Sequence, residues 1–174
     1  MLVELAKLES NEGKFAHDYE PGELTLDEER VELAEPPRIA GRIQREKARV
    51  TVDGALSAVT RIECDRCLQP IILPVNTEFR VEFVTPDVYQ TEEAAELEAE
   101  DLALSVFNGE IIDVDELVRE EVLLAVPIQA LCRENCKGLC PVCGVNKNQT
   151  ECHCAVGEVD PRWSGLRELK NGKS

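Results

Sequence analysis

Residues 48–62 read ARVTVDGALSAVTRI, and their alternation decides the fold class. Val50, Val52, Leu56, Ala58, Thr60 and Ile62 share one parity, while Arg49, Thr51, Ser57 and Arg61 share the other. A period of two places one set on a buried face and the other in water, so the segment is a half-buried strand or a strand pair. Asp53-Gly54 in its middle is either a bulge or a tight hairpin turn. The same alternation returns in VNTEFRVEF at 75–83, where Val75, Thr77, Phe79, Val81 and Phe83 interleave with polar residues before Pro86.

Upstream, Leu2 to Leu8 reads as an edge strand, with turn signals at Asn11-Glu12-Gly13 and Glu20-Pro21-Gly22. Val31 and Leu33 suggest a further strand ending before Pro36-Pro37. Antiparallel strands with one apolar face need a cover. DVDELVREEVLLAVP at 113–127 supplies one. Asp113 and Glu116 form a capping box. Val114, Leu117, Val118, Val122 and Ala125 lie on one helical face, Leu123 and Leu124 widen it, and Pro127 stops the helix. The expected fold is therefore α+β: an antiparallel β-sheet or small open barrel covered by a helix, followed by a cysteine-rich zinc-binding segment. The expected divisions are a β-rich core at 1–86, an acidic loop at 87–110, the covering helix at 111–131, and a cysteine-rich segment with a short terminal helix at 132–174.

Six of the eight cysteines crowd into that last segment: Cys132, Cys136, Cys140, Cys143, Cys152 and Cys154. Such spacing gathers thiolates around one point, and four thiolates satisfy a tetrahedral zinc. Two sets compete: Cys132, Cys136, Cys140 and Cys143, or Cys140 and Cys143 closed by Cys152 and Cys154. His153 is a substitute ligand or a surface residue. The remaining pair, Cys64 and Cys67, reads as half a metal site, a structural pair, or a redox pair activated by Arg66. Joined to Cys140 and Cys143 it would staple distant segments, and eight thiols suffice for two zincs. A closed sphere of four thiolates makes the zinc structural, with no open position for catalysis. Conventional catalytic motifs such as G-x-S-x-G or H-E-x-x-H are missing from the sequence, so no enzyme is expected.

The chain carries 35 acidic against 19 basic residues, a net charge of −16, which repels nucleic acid at long range. Any RNA contact must be local. The candidates are Arg38, Arg42, Arg45, Lys47 and Arg49, together with Arg162, Arg167 and Lys170 near the end. Acids fill 87–101, which reads as a solvated loop. Trp163 is expected to anchor the tail. The opening MLVELAKLES does not read as a signal peptide, and no run approaches the ~20 apolar residues of a membrane span. A cytoplasmic location with reduced thiols is expected, which favours metal over disulfides.

Four stretches together resemble a known family: CDRCLQP at 64–70, IIDVDELVREEVLLAVPIQALC at 111–132, CKGLCPVCGVN at 136–146, and DPRWSGL at 160–166. They are similar to the bacterial YceD family, associated with accumulation of 23S ribosomal RNA. The resemblance implies a non-enzymatic factor in large-subunit biogenesis that binds 23S rRNA precursor or an assembly protein. An acidic module holding a basic ribosomal protein without touching RNA is the alternative. A thiol oxidoreductase using Cys64 and Cys67 is a third.

Overall fold

Three strands of 15 or 16 residues dominate the described structure, with the alternation that the period of two predicts. The structure, a computed structural model, describes residues 1–8, 11–47, 49–86, 104–108 and 110–155. The acidic stretch 87–101, Arg162, Trp163, Arg167, Lys170 and the expected terminal helix lie outside the described residues.

In chain order the elements are β1 (Leu2–Glu4), β2 (Glu12–Asp18), β3 (Val31–Glu46), β4 (Arg49–Glu63), β5 (Pro70–Val84), β6 (Leu104–Val106), β7 (Ile111–Asp113) and α1 (Val114–Ala125). Strands β2-β3-β4-β5-β6 form an open sheet in that order, not a closed barrel. Its pairs are antiparallel except β5–β6. β1 and β7 make a separate antiparallel ribbon.

The chain divides into two compact units: Met1–Glu63 with Pro70–Ala130, and Cys64–Gln69 with Leu131 onward. The first owns the apolar core. Val50, Val52, Leu56, Ala58, Thr60 and Ile62 of β4 are all buried. Ile39 and Ile43 of β3 and Val75 and Phe79 of β5 join that core, and Val114, Leu117, Val118 and Val122 of α1 close it. Asp113 caps the helix, its Oδ1 accepting from the N–H groups of Asp115 at 2.9 Å and Glu116 at 3.3 Å.

Four local expectations need correction. The alternation leaves a strand or a strand pair open, and residues 49–62 lie in a single strand with neither turn nor bulge at Asp53-Gly54. Gly54 faces Gly41 across β3 and Phe79 across β5, and a Cβ there would strike the Ala40 carbonyl oxygen. The glycine thus serves close strand approach, not a turn. Pro36-Pro37 do not end β3 but fall where its register with β4 shifts, between Leu33 and Arg38; a residue without an N–H fits at such an irregularity. The segment from Leu2 leaves strand geometry after Glu4 for a 3-10 turn at Leu5–Lys7 that sends Leu5 into the core. Leu124 is 78% exposed, so the buried stripe of α1 is narrower than its leucines suggest. Gly54→Ala is expected to destabilise the sheet by about 1–3 kcal/mol, measurable by chemical denaturation.

Candidate metal centre

Two turns of the same build carry four of the cysteines. In Cys64-Asp65-Arg66-Cys67 the Leu68 N–H donates to the Cys64 carbonyl at 2.9 Å, and the Cys64 N–H donates to the Gln69 carbonyl at 2.9 Å. In Cys140-Pro141-Val142-Cys143 the Gly144 N–H donates to Cys140 at 2.9 Å, and the Cys140 N–H to Val145 at 2.8 Å. The residue after the second cysteine takes a positive φ in both, 57° at Leu68 and 73° at Gly144. This turn points both sulfurs of a C-x2-C pair the same way. Glycine adopts it without strain, whereas leucine carries the left-handed penalty. Leu68 is 57% exposed and loses little packing on truncation. Leu68→Gly is therefore expected to stabilise the cysteine unit by up to about 1 kcal/mol, read from its unfolding midpoint.

Each turn meets two further thiols. Cys64, Cys67, Cys132 and Cys136 form one set, and Cys140, Cys143, Cys152 and Cys154 the other, with all sulfurs of a set within 4.8 Å of one another. A set made of Cys132, Cys136, Cys140 and Cys143 is not what the fold assembles, nor does the Cys64–Cys67 pair meet Cys140 and Cys143. His153 belongs to neither set. The reason lies in the stretch 136–139, which runs against the first turn. Leu139 N–H donates to the Arg66 carbonyl at 2.9 Å, and Arg66 Nη1 donates to the Cys136 carbonyl at 3.0 Å. Gly138, at φ 70°, sits so close that a Cβ would lie 2.9 Å from the Arg66 carbonyl oxygen.

The geometry fits a tetrahedral ion. Bonds of ~2.3 Å to sulfur give S–S edges of ~3.8 Å. Cys64 and Cys136 sulfurs stand 3.8 Å apart, and those of Cys67 and Cys132 3.6 Å. These separations are far beyond a disulfide bond of ~2.05 Å, and all eight thiols are free. Burial would raise the Cys64 thiol, but the N–H groups of Cys132, Arg66 and Cys67 hold it down to about 6. Cys132 is pushed up to about 12 by desolvation and by bonding to Cys67, Cys136 and Cys64. The second set repeats the split. N–H groups of Cys143 and Val142 bring Cys140 to about 6, and the bond to Cys143, then desolvation, lifts Cys154 to about 12. Sulfurs this close cannot all ionise without a cation among them. Two clusters of four cysteines thus stand ready to bind metal ions.

Among the described residues the cysteine unit has no other core. Its buried apolar residues, among those described, are Cys64, Cys67, Cys136 and Cys140. A module whose interior is sulfur depends on what the sulfurs hold.

The basic candidates on the sheet are distributed differently. Arg38 and Arg42 lie on the solvent face of β3, in register with Ser57 and Asp53. Arg45 has the core-side parity beside Ile43 and is half-buried, and Lys47 turns the β3–β4 hairpin at φ 57°. Carboxylates answer the arginines: Arg42 Nε bonds both oxygens of Asp53 at 3.0 and 2.9 Å, Arg49 reaches Glu82 at 3.2 Å, and Arg38 lies 3.9 Å from Asp18. Register adds two bases that the sequence stretch did not contain. Lys14, Arg42, Asp53 and Arg80 form one cross-strand row. None of the described helices is long and apolar enough to cross a membrane.

Comparison with known proteins agrees with the motifs. Residues 52–170 match the family model described as large ribosomal RNA subunit accumulation protein YceD. An uncharacterized protein of Mycobacterium tuberculosis is 31% identical over 178 residues, covering all of this chain and 83% of that protein. The uncharacterized protein YlbN of Bacillus subtilis is 25% identical, covering 97% of this chain and 94% of its own. A Zea mays protein named large ribosomal RNA subunit accumulation protein YCED homolog 1, chloroplastic, is 26% identical, covering 84% of this chain and 56% of its own. No solved structure matches the chain.

Proposed function

The chain belongs to the YceD family, and from that membership we propose that it is a non-enzymatic factor of large ribosomal subunit biogenesis, acting by binding in the cytoplasm to promote accumulation of 23S rRNA. The family match carries this reading. Plant relatives bear the large ribosomal RNA subunit accumulation name. Both cysteine sets are closed cages, and the buried Cys64 and Cys67 are poorly placed to meet a disulfide substrate. We assign zinc to both sets, the ion that four thiolates in a tetrahedron suit best.

For the contact surface we assign the solvent face of the sheet, where Lys14, Arg42 and Arg80 lie in one row and meet the phosphates of precursor rRNA. The tail bases Arg162, Arg167 and Lys170 are proposed as further phosphate contacts. A second reading has support from the ion pairs of Arg42 with Asp53 and Arg49 with Glu82: these offset the basic charge, and an acidic chain holds a basic ribosomal protein instead. Crosslinking of the tagged protein in cells, with RNA and protein recovered together, separates the two. The first reading expects 23S precursor, lost about tenfold in Arg42→Glu/Arg80→Glu, with a salt dependence that falls by about 1 per phosphate contact removed. Recovery of a basic large-subunit protein without RNA selects the second. Recovery of neither overturns the ribosome assignment.

A further inference from the structure

Asn148 lies in the connection between Cys143 and Cys152 of the second cluster, yet its side chain serves the first. Its Nδ2 donates to the Cys136 sulfur at 3.3 Å. Its Oδ1 accepts from the N–H of Lys137 at 2.8 Å, the residue that follows that ligand. Nδ2 also donates to Asn146 Oδ1 at 2.9 Å, and the same oxygen accepts from the Asn148 N–H at 2.9 Å. Reversing the carboxamide would set an acceptor against sulfur and a donor against an N–H, so the network fixes its orientation.

The backbone around it ties the clusters together. Lys147 N–H donates to the Gly138 carbonyl at 2.9 Å, and Cys140 N–H donates to Val145 at 2.8 Å. Leu139 and Asn146 form an antiparallel bridge between these bonds. The stretch 145–148 therefore runs alongside 136–140, with a ligand of the first cluster at one end and a ligand of the second at the other. Closing the second cluster around a cation restrains the connection 144–151, which reduces the entropy that Asn148 must lose to reach Cys136. A donor on a coordinated sulfur fixes its direction and disperses its charge, and such outer-shell partners are worth 10–100-fold in metal affinity.

We propose that Asn148 couples the two cysteine clusters, so that filling the second with a soft divalent cation tightens binding at the first. The proposal rests on the reading of both clusters as metal sites. Linkage makes the effect mutual: filling the first tightens the second by the same factor.

The test uses the full chain with cadmium as probe, each cluster followed by its own 113Cd resonance during chelator competition. With Asn148 in place, emptying the second cluster with Cys152→Ser/Cys154→Ser is expected to lower first-cluster affinity about 10–100-fold. Asn148→Asp keeps an acceptor for the Lys137 N–H but removes the sulfur donor. It is expected to cause the same loss with all eight thiols in place, and to move the first-cluster resonance while leaving the second in position. Asn148→Ala should lose as much, which excludes the added charge as cause, and Gln149→Ala should stay within about twofold. Combining Asn148→Asp with the cysteine pair should add nothing further. First-cluster affinity that is indifferent to Asn148→Asp, or fully additive losses, overturns the coupling while leaving two metal sites. Uptake of fewer than two cadmium ions by the wild type overturns the metal reading and the coupling with it.

Discussion

Cys64→Ser is expected to abolish the order around the first cluster while leaving the sheet and helix folded. Serine is a poor ligand for a soft ion, and three thiolates left around a vacant corner cannot hold it closed. Structural zinc contributes apparent free energies of ~10–16 kcal/mol to such modules, more than the apolar contacts of the described residues could replace, because the buried apolar residues among them are cysteines. Treatment with a strong chelator, which empties both clusters, should unfold the whole cysteine unit. Hydrogen exchange is the decisive measurement. Amides donating within Cys64–Gln69 and Cys136–Thr150 should lose protection together, while those of β3, β4 and β5 keep theirs. Those strands draw their core from their own unit, around Ile43, Val50, Leu56 and Phe79. Unchanged protection in the cysteine unit after metal loss would show that sulfur packing alone holds it.

The second large effect is expected at Leu117. It is 2% exposed on the buried stripe of α1, between Val114 and Val118, which have no exposure at all. Leu117→Ala removes the branched side chain from the layer between helix and sheet and leaves a cavity that the long strands cannot collapse into. A loss of about 2–5 kcal/mol is expected from urea or thermal unfolding. Leu124→Ala on the same helix, 78% exposed, should change stability by less than about 0.5 kcal/mol. Equal losses at the two sites would mean that α1 does not cover the sheet in the manner described.

The sequence was legible wherever a residue's role depends on its near neighbours. The parity of Val50 through Ile62 and the cap at Asp113 are local, and both match the structure. Asp53-Gly54 was ambiguous because the cause is remote. Gly54 accommodates Ala40 and Gly41 of another strand, and nothing within its own segment announces that. Pro36-Pro37 misled for the same reason, since only the register with β4 shows an irregularity that accepts them.

The cysteines obey the same division. Each C-x2-C turn is written in its own residues, but which thiols complete it depends on the stretch 136–139 lying against Arg66. Leu68 also hid the likeness of the two turns, for glycine at that position would have marked them as a pair. Lys14 and Arg80 join Arg42 through pairing across four strands, invisible to any count of charge along the chain.

The contrast between the two clusters bears on the order in which the chain folds. Cys67 and Cys132 meet across 65 residues, and Cys64 and Cys136 across 72, whereas Cys140 to Cys154 close within one short run. Loop-closure entropy favours the short run. As the chain emerges during synthesis, the hairpin β4–β5 is complete and its pair of thiols exposed long before their partners exist. The first cluster is therefore a late, long-range closure, which waits until Cys132 and Cys136 have been made and brought to the Cys64–Cys67 turn.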